Sequence, residues 1–343
     1  MAKCASLIDT KPLVLPLEDC SEENRSEVGP KALGLNNLLK AGAVVPPGFC
    51  LTTSALKHFL RHDAALAGLI QSIQLRPSGD SEALPAMEVC VKIRQGILGS
   101  SVDGDLTDLI RDAYRKLSEQ GGRTVAVRSS AAPENTGSSS AASHDDVVLG
   151  VSSEHDLLGA IKRVWANHYA DDGMLLRELS ALDQASGVAV IVQTMVYAAK
   201  SGEMFTANPS TMDRSTVFIE AAGQEGEVFS LGNPAHAKYY VNKVTFEVEK
   251  TVLPQNELVS EPVLSKIEIK RLVEAARSVD KFLRRPQEIE WVVEAAGTGQ
   301  EGEPRLFFIG CRPISTHEVT KPAASSNFFS YVTSAVNKRV EVS

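Results

Sequence analysis

TVAVRSSAAPENTGSSSAASHDDVVLGV, residues 124–151, places a long polar stretch between two short apolar ones. TVAVR predicts a strand that ends at Arg128, and VVLGV predicts a second strand that closes the segment. The residues between them are rich in serine and alanine and have no apolar period. Long loops inside ordered domains are usually functional or disordered, so this loop is the first candidate for a binding element.

The sequence differs on the two sides of this segment. On the N-terminal side, apolar residues recur at three- and four-residue spacing and predict helices at 31–42, from Thr53 onward, and at 82–98 and 105–118. On the C-terminal side, GVAVIVQTMV (187–196) is the strongest strand candidate in the chain. Further strands are predicted at SGEMFTANP, TVFIEAA, KYYVN and VTFEVE, then a helix at 264–283 and a hairpin of EIEWVVEAA with RLFFIGCRP. The pattern predicts an α+β protein with a helix-rich N-terminal part.

Composition excludes several classes of protein. The chain has 343 residues, is 43% hydrophobic and carries a formal charge of −8, which is typical of a globular protein and argues against a nucleic-acid binder. No apolar run approaches the ~18 residues that a membrane span needs. Five scattered cysteines without a CxxC pair indicate a reducing compartment. We therefore expect a cytoplasmic protein with neither nucleic acid nor membrane as a partner.

Two basic residues lie in contexts that suit phosphate. VGPKALGLNNLLKAG (28–42) places Lys31 at the start of a helix, behind Gly29 and Pro30. Backbone N–H groups at a helix N-terminus attract anions, and the plainer alternative is a solvated lysine. Arg128 ends a strand beside the polar loop, where its guanidinium could clamp a phosphate or pair with a carboxylate.

Carboxylates are concentrated in the second half of the chain. Period-two alternation in QEIEW places Glu288 and Glu290 on one face of a strand. Two neighbouring carboxylates either face solvent or hold a cation such as Mg²⁺. The returning strand brings Arg312 close to them, and Glu220 and Glu227 could face the same cleft.

Seven blocks of sequence occur in one order: VGPKALGLNNLLKAGAVVPPGF, TVAVRSSAAPEN, VIVQTMV, SGEMFTANP, FIEAAGQEGE, QEIEW and FFIGCRPI. Together they resemble the ATP-binding domain of the phosphoenolpyruvate synthase, pyruvate phosphate dikinase and rifampin phosphotransferase family, from about Val28 to Ile314. The resemblance implies an ATP-grasp fold in which two lobes hold ATP between them. It places the N-terminal lobe at 1–196, helical to about 122, with a strand and phosphate lid at 123–151. The C-terminal lobe with the metal site follows at 197–316, and a tail at 317–343.

The resemblance also assigns roles, with ATP and Mg²⁺ as cofactors. The implied phosphate-contacting catalytic residues are Lys31, Arg128 and Arg312. Gln193, Met195 and Val196 match the segment that lines the adenine pocket. Glu220 and Glu227 match acidic positions of the second lobe. Glu290 matches a magnesium ligand, and Glu288 is a candidate substitute ligand.

The chain departs from the family pattern at several of these positions. Pro30 stands where a second glycine is usual, and the lid reads Ser140-Ala141-Ala142-Ser143-His144 instead of a sequence close to SFAGQ. The usual GLGE of the second lobe is Gln224-Glu225-Gly226-Glu227. Gly310 replaces a glutamine that would be a second metal ligand, so we expect a weakened metal site.

Three functions remain open. The first is an Mg-ATP-dependent phosphotransferase or ligase that acts on a small-molecule acceptor, which His144, Asp145 or Asp146 of the lid would position. The second is the ATP-binding half of a split dikinase with a separate phosphohistidine-carrier protein, because no histidine of this sequence lies in the family's Thr-Ser-His carrier context. The third is a non-catalytic nucleotide-binding module with a degenerate metal site.

Overall fold

Eleven strands form two antiparallel sheets in the computed structural model, which describes residues 11–74, 83–121, 124–130, 147–169, 187–223, 237–253, 262–295 and 304–314. The first sheet has the order β1-β2-β5-β3-β4 and the second has the order β11-β10-β6-β7-β8-β9. Two antiparallel sheets with helices packed on them confirm the predicted α+β class.

The first sheet is built around GVAVIVQTMV, the strongest strand candidate in the sequence. Its strands are β1 (Val14–Pro16), β2 (Gly48–Leu51), β3 (Val125–Ser130), β4 (Val147–Val151) and β5 (Ala189–Thr194). β5 is central and is buried along nearly its whole length, as a strand covered on both faces requires. It pairs with β3 so that Arg128 lies opposite Ile191.

The second sheet contains the predicted hairpin at one edge. Its strands are β6 (Ala198–Phe205), β7 (Thr216–Gly223), β8 (Ala237–Asn242), β9 (Val248–Val252), β10 (Gln287–Glu294) and β11 (Leu306–Pro313). β10 and β11 pair antiparallel, with Glu290 opposite Gly310 and Glu288 opposite Arg312. The other neighbour of β10 is β6, in which Glu203 lies opposite Glu290.

Six helices precede or interrupt the first sheet, and one belongs to the second. They are α1 (Arg25–Lys40), α2 (Thr53–His62), α3 (Ala64–Gln74), α4 (Ala83–Gly99), α5 (Gly104–Glu119), α6 (Glu154–Asn167) and α7 (Lys266–Leu283), counted within the described ranges. A core that includes Phe59 of α2 and Trp165 of α6, 5.1 Å apart between ring centroids, covers one face of the first sheet. The helix-rich N-terminal part is thus confirmed.

Helix α1 lies between the two sheets. Its buried residues Val28 and Leu35 belong to the same apolar cluster as Ile191 of the first sheet and Ile289 of the second. α7 packs on the second sheet in this cluster, with the fully buried Trp291. One helix therefore fixes the strands that carry the predicted site residues relative to each other.

The predicted strand VTFEVE is shifted in the structure. Asn242 ends β8, and its side-chain oxygen accepts hydrogen bonds from the backbone N–H groups of Val244 and Thr245. Phe246 then has a φ of +63°, which a strand cannot accommodate. This Asx-type turn delays β9 until Val248, so the prediction of a strand from Val244 is wrong.

None of the helices in the described part of the chain combines the length and apolar character needed to cross a bilayer.

Candidate active site

The start of the helix that carries Lys31 is held against the end of β3. Gly29 interrupts α1 with a φ of +75°, so the regular part of the helix begins at Pro30 and Lys31 lies in its first turn. Ser130 accepts a hydrogen bond at its Oγ from the backbone N–H of Ala32, with a donor–acceptor distance of 3.2 Å. A Cβ on residue 29 would clash with the carbonyl oxygen of Ser130, so glycine is required there for space as well as for φ.

Arg128 links the two sheets. Its guanidinium donates to the side-chain oxygen of Gln193 at 3.1 Å and to the backbone carbonyl of Ile309 in β11 at 2.5 Å. The side-chain nitrogen of Gln193 donates to the carbonyl of Pro46 at 2.9 Å, so the amide is fixed on both sides. The predicted clamp arginine is therefore positioned at the point where β3, β5 and β11 meet.

The close approach of α1 to β11 completes this meeting point. A Cβ on Gly34 would collide with the carbonyl of Cys311, so the helix backbone lies directly on the strand. Phe308 of the same strand donates its backbone N–H to the carbonyl of Val44 at 2.8 Å. Through these contacts the start of α1, the end of β3 that carries Arg128, and the Gly310–Arg312 segment of β11 lie next to one another, with Lys31 in the first turn of α1.

Three carboxylates form a row across the second sheet. The paired residues along this row are Glu290 on β10, Glu203 on β6 and Glu220 on β7, followed by Lys238 on β8. Directly paired side chains on neighbouring strands lie on the same face, with Cβ atoms about 4.5–5.5 Å apart. Glu203 and Glu220 are buried, and Lys238 forms an ion pair with Glu220 at 2.8 Å. Gly310 ends the row on the other side, next to Glu290.

Glu203 was missed by the sequence reasoning. The available signal was a glutamate within SGEMF, where the flanking residues are small or apolar and the strand is short. Its relation to Glu290 depends on the pairing of β6 with β10, which are separated by most of the C-terminal half of the chain.

Glu288, the second carboxylate predicted to bind the metal ion, has a different environment. Glu288 is 3% exposed and accepts from the guanidinium of Arg312 at 2.7 Å. Arg312 keeps more than half of its side-chain surface accessible. The pair therefore holds Arg312 in place beside the row, and a metal-binding role for Glu288 stays a prediction.

Apolar side chains lie along the short segment that connects β5 of the first sheet to β6 of the second, residues 195–197. Met195 packs with Ala126 and Leu149 of the first sheet, and its backbone N–H donates to the carbonyl of Thr124. Val196 packs with residues of the second sheet, among them Phe307. This segment offers an apolar border next to the amide of Gln193, as a purine pocket requires.

The charged side chains around the carboxylate row offer carboxylate oxygens and cationic groups. Burial raises the pKa of the Cys311 thiol to about 12, against a smaller opposing effect of Arg285, so the thiol remains protonated at neutral pH. A protonated thiol is a poor metal ligand, whereas carboxylate oxygens suit a hard cation such as Mg²⁺. The residues present fit the predicted magnesium ion.

Several predicted residues lie outside the described part of the chain. They are the lid residues His144, Asp145 and Asp146, the acidic-loop residue Glu227, and the tail at 317–343. Their roles stay predictions.

Known proteins resemble this chain over most of its length. Residues 25–330 match the family model described as the pyruvate phosphate dikinase AMP/ATP-binding domain. A probable phosphoenolpyruvate synthase of Methanocaldococcus jannaschii is 28% identical and aligns with 90% of this chain and 27% of its own length. The phosphoenolpyruvate synthase of Aeropyrum pernix is 30% identical over 83% of this chain and 35% of its own length. The chain thus spans about a quarter to a third of these two relatives.

A solved structure, D-alanyl-alanine synthetase A from Vibrio cholerae, aligns with 86% of this chain and 68% of its own at 10% identity and a TM-score of 0.30. A similarity this low carries no argument about function.

Proposed function

Since the chain belongs to the family of pyruvate phosphate dikinase AMP/ATP-binding domains, we propose that it binds Mg-ATP where α1, β3, β10 and β11 meet and transfers a phosphoryl group to a small-molecule acceptor. The family match confirms the resemblance found in the sequence, with ATP and Mg²⁺ as cofactors. The ATP-grasp fold that the resemblance implies is part of the proposal. The site residues and the acceptor belong to the proposal.

The observation that carries the proposal is the meeting of three elements that each carry a cation. Lys31 comes from a helix start, Arg128 from a strand of the first sheet and Arg312 from the edge strand of the second. Contacts of Ser130 with Ala32 and of Arg128 with Ile309 bring these elements together. Phosphoryl transfer depends mainly on positioning and on stabilising charge on phosphate oxygens, and such a set of cations with backbone N–H groups serves both.

The carboxylate row provides the acidic part of the site. Glu290 and Glu203 would hold Mg²⁺, and the bound ion would neutralise charge on the phosphate oxygens. Glu203 lies on the side of Glu290 opposite Gly310, so it would add a second carboxylate to the ion but would not take the position of the missing glutamine. The ion pair of Lys238 with Glu220 keeps the third carboxylate compensated, which lowers the cost of burying three acids together.

The adenine of ATP would lie against the segment that connects β5 to β6. Met195 and Val196 offer apolar contacts there, and polar backbone atoms of the same segment can recognise the edge of a base. Gln193 supports this wall by holding Arg128 on one side and Pro46 on the other.

Product analysis by phosphorus NMR distinguishes the remaining alternatives. Purified protein would be incubated with Mg-ATP and candidate acceptors, including pyruvate because the relatives are called phosphoenolpyruvate synthases. ADP would support direct transfer or ligase chemistry. AMP with phosphate would support the alternative in which a phosphohistidine carrier on another chain completes a dikinase cycle. ATP binding without turnover under all these conditions would support a non-catalytic module.

Replacement of Lys31 tests the phosphate end of the site. We expect Lys31→Ala to weaken ATP binding by about 1.5 kcal/mol, close to tenfold, because one charge-assisted contact is lost. Lys40→Ala, in the last turn of the same helix, is the matched control and should leave the affinity unchanged. Isothermal titration calorimetry measures both, and equal ATP affinities of the two variants would remove Lys31 from the site.

Restoring the missing ligand tests the metal end. A side chain on residue 310 would meet the carboxylate of Glu290, so Gly310→Gln places an amide oxygen beside that carboxylate after a small shift of the glutamate. We expect the Mg²⁺ concentration for half-maximal ATP consumption to fall several-fold, because the ion gains an oxygen ligand. Gly310→Ala controls for bulk alone. An identical magnesium titration of the two variants would show that residue 310 does not face the ion.

A further inference from the structure

Two histidines and an aspartate form a cluster in the helical N-terminal part of the chain. His58 and His62 are four residues apart on α2, which places them on the same face of the helix, with ring centroids 4.5 Å apart. Asp103 precedes α5 and approaches this face. One potential ligand atom from each residue lies within 4.8 Å of the other two, and among the described residues no other such group of three is found.

The side chains of His58 and Asp103 are directed toward each other. His58 Nε2 lies 3.1 Å from Asp103 Oδ2, and both atoms are buried without an aligned hydrogen-bond partner. The second oxygen of Asp103 caps α5 by accepting from the backbone N–H of Leu106 at 3.2 Å. This cap fixes the carboxylate so that Oδ2 faces the histidine. Two buried atoms with lone pairs at this distance, without an aligned hydrogen bond between them, are placed so that one metal ion could bind both.

We propose that His58, His62 and Asp103 bind a Zn²⁺ ion, with water as the fourth ligand. Imidazole nitrogens and a carboxylate oxygen are common zinc ligands, and three protein ligands with one open position are a known zinc arrangement. Ligand distances of about 2.0–2.2 Å place tetrahedral ligands about 3.4 Å apart. His62 is exposed, so rotation of its side chain can close the remaining separation.

The bound ion would join α2 to the start of α5. Both helices contribute to the core that covers the first sheet, through residues such as Phe59 and Leu106. Metal ions that bind only the folded state stabilise it by mass action. The site would therefore act as a clamp within the helical part, independent of the magnesium site on the second sheet.

Zinc titration of the full chain, without a histidine tag and after chelator treatment and dialysis, tests the proposal. Calorimetry with Zn²⁺ as the only added metal should show a site in the wild type whose affinity falls at least about tenfold in His62→Ala. His62 is exposed, so its replacement leaves the fold intact. Asp103→Asn keeps a side-chain oxygen for the helix cap but removes the charge, and should also weaken zinc binding at least about tenfold.

A matched control and a spectroscopic signature complete the test. His155→Ala removes an exposed histidine from α6 and should bind Zn²⁺ as the wild type does. Co²⁺ used as a replacement should give the visible absorption of a tetrahedral complex in the wild type and in His155→Ala, and lose it in His62→Ala. Wild-type zinc affinity in both His62→Ala and Asp103→Asn would overturn the proposal and leave a simple ion pair of His58 with Asp103.

Discussion

Arg128→Ala should reduce ATP affinity by about 3 kcal/mol, or roughly 150-fold, because charge-assisted hydrogen bonds to phosphate are lost together with the geometry that orients them. The guanidinium is the one described side chain that donates to both β5 and β11 at the proposed phosphate site. Its removal leaves the oxygen of Gln193 and the carbonyl of Ile309 without this donor. Calorimetric titration with Mg-ATP measures the loss.

Two further variants separate the phosphate contact from general effects of the substitution. Arg128→Lys keeps the charge but not the planar fork, so we expect an affinity between those of the wild type and the alanine variant. Arg111→Ala removes an exposed arginine of α5 that pairs with Glu154, and should leave ATP affinity unchanged. Thermal melting verifies that each variant is folded. An Arg128→Ala protein that melts as the wild type does and binds ATP equally well would exclude the arginine from the site.

Glu290→Gln should lower ATP turnover by about 100-fold or more, because the carboxylate that would hold Mg²⁺ beside the reacting phosphates is lost. The substitution keeps the size of the side chain and the pairing of β10 with β6 and β11. ATP affinity measured without Mg²⁺ should change little, and the increase in affinity that Mg²⁺ provides should disappear. Steady-state ATP consumption and calorimetry at two Mg²⁺ concentrations measure these effects.

Glu294→Gln is the matched control on the same strand. Its carboxylate pairs with Arg305, near the far end of β10, and lies outside the carboxylate row. We expect wild-type turnover for this variant. If both glutamine variants retained wild-type turnover and magnesium dependence, the metal site would have to lie elsewhere.

Local patterns predicted most of the elements that carry the site. The apolar run that became β5 and the alternation that became β10 are set by residues close in sequence, and so is the helix that begins behind Gly29. The strand predicted at VTFEVE failed because an Asx-type turn at Asn242 outweighed the β-forming residues after it.

Contacts between distant segments could not be predicted in the same way. Glu203 becomes a neighbour of Glu290 only through the register of β6 with β10, and one residue of slip would place it on the other face. The hydrogen bond from Arg128 to Ile309 joins residues 181 positions apart. The closeness of Arg312 to Glu288 follows the predicted hairpin, because the two strands that carry them are neighbours in the chain.

Titration calorimetry of the wild-type chain with ATP in the presence of Mg²⁺ shows whether the chain binds Mg-ATP at all. We expect saturable binding of one ATP per chain below millimolar concentration, with affinity that falls when Mg²⁺ is removed. Absence of heat and of saturation at millimolar ATP, in protein that melts cooperatively, would contradict it.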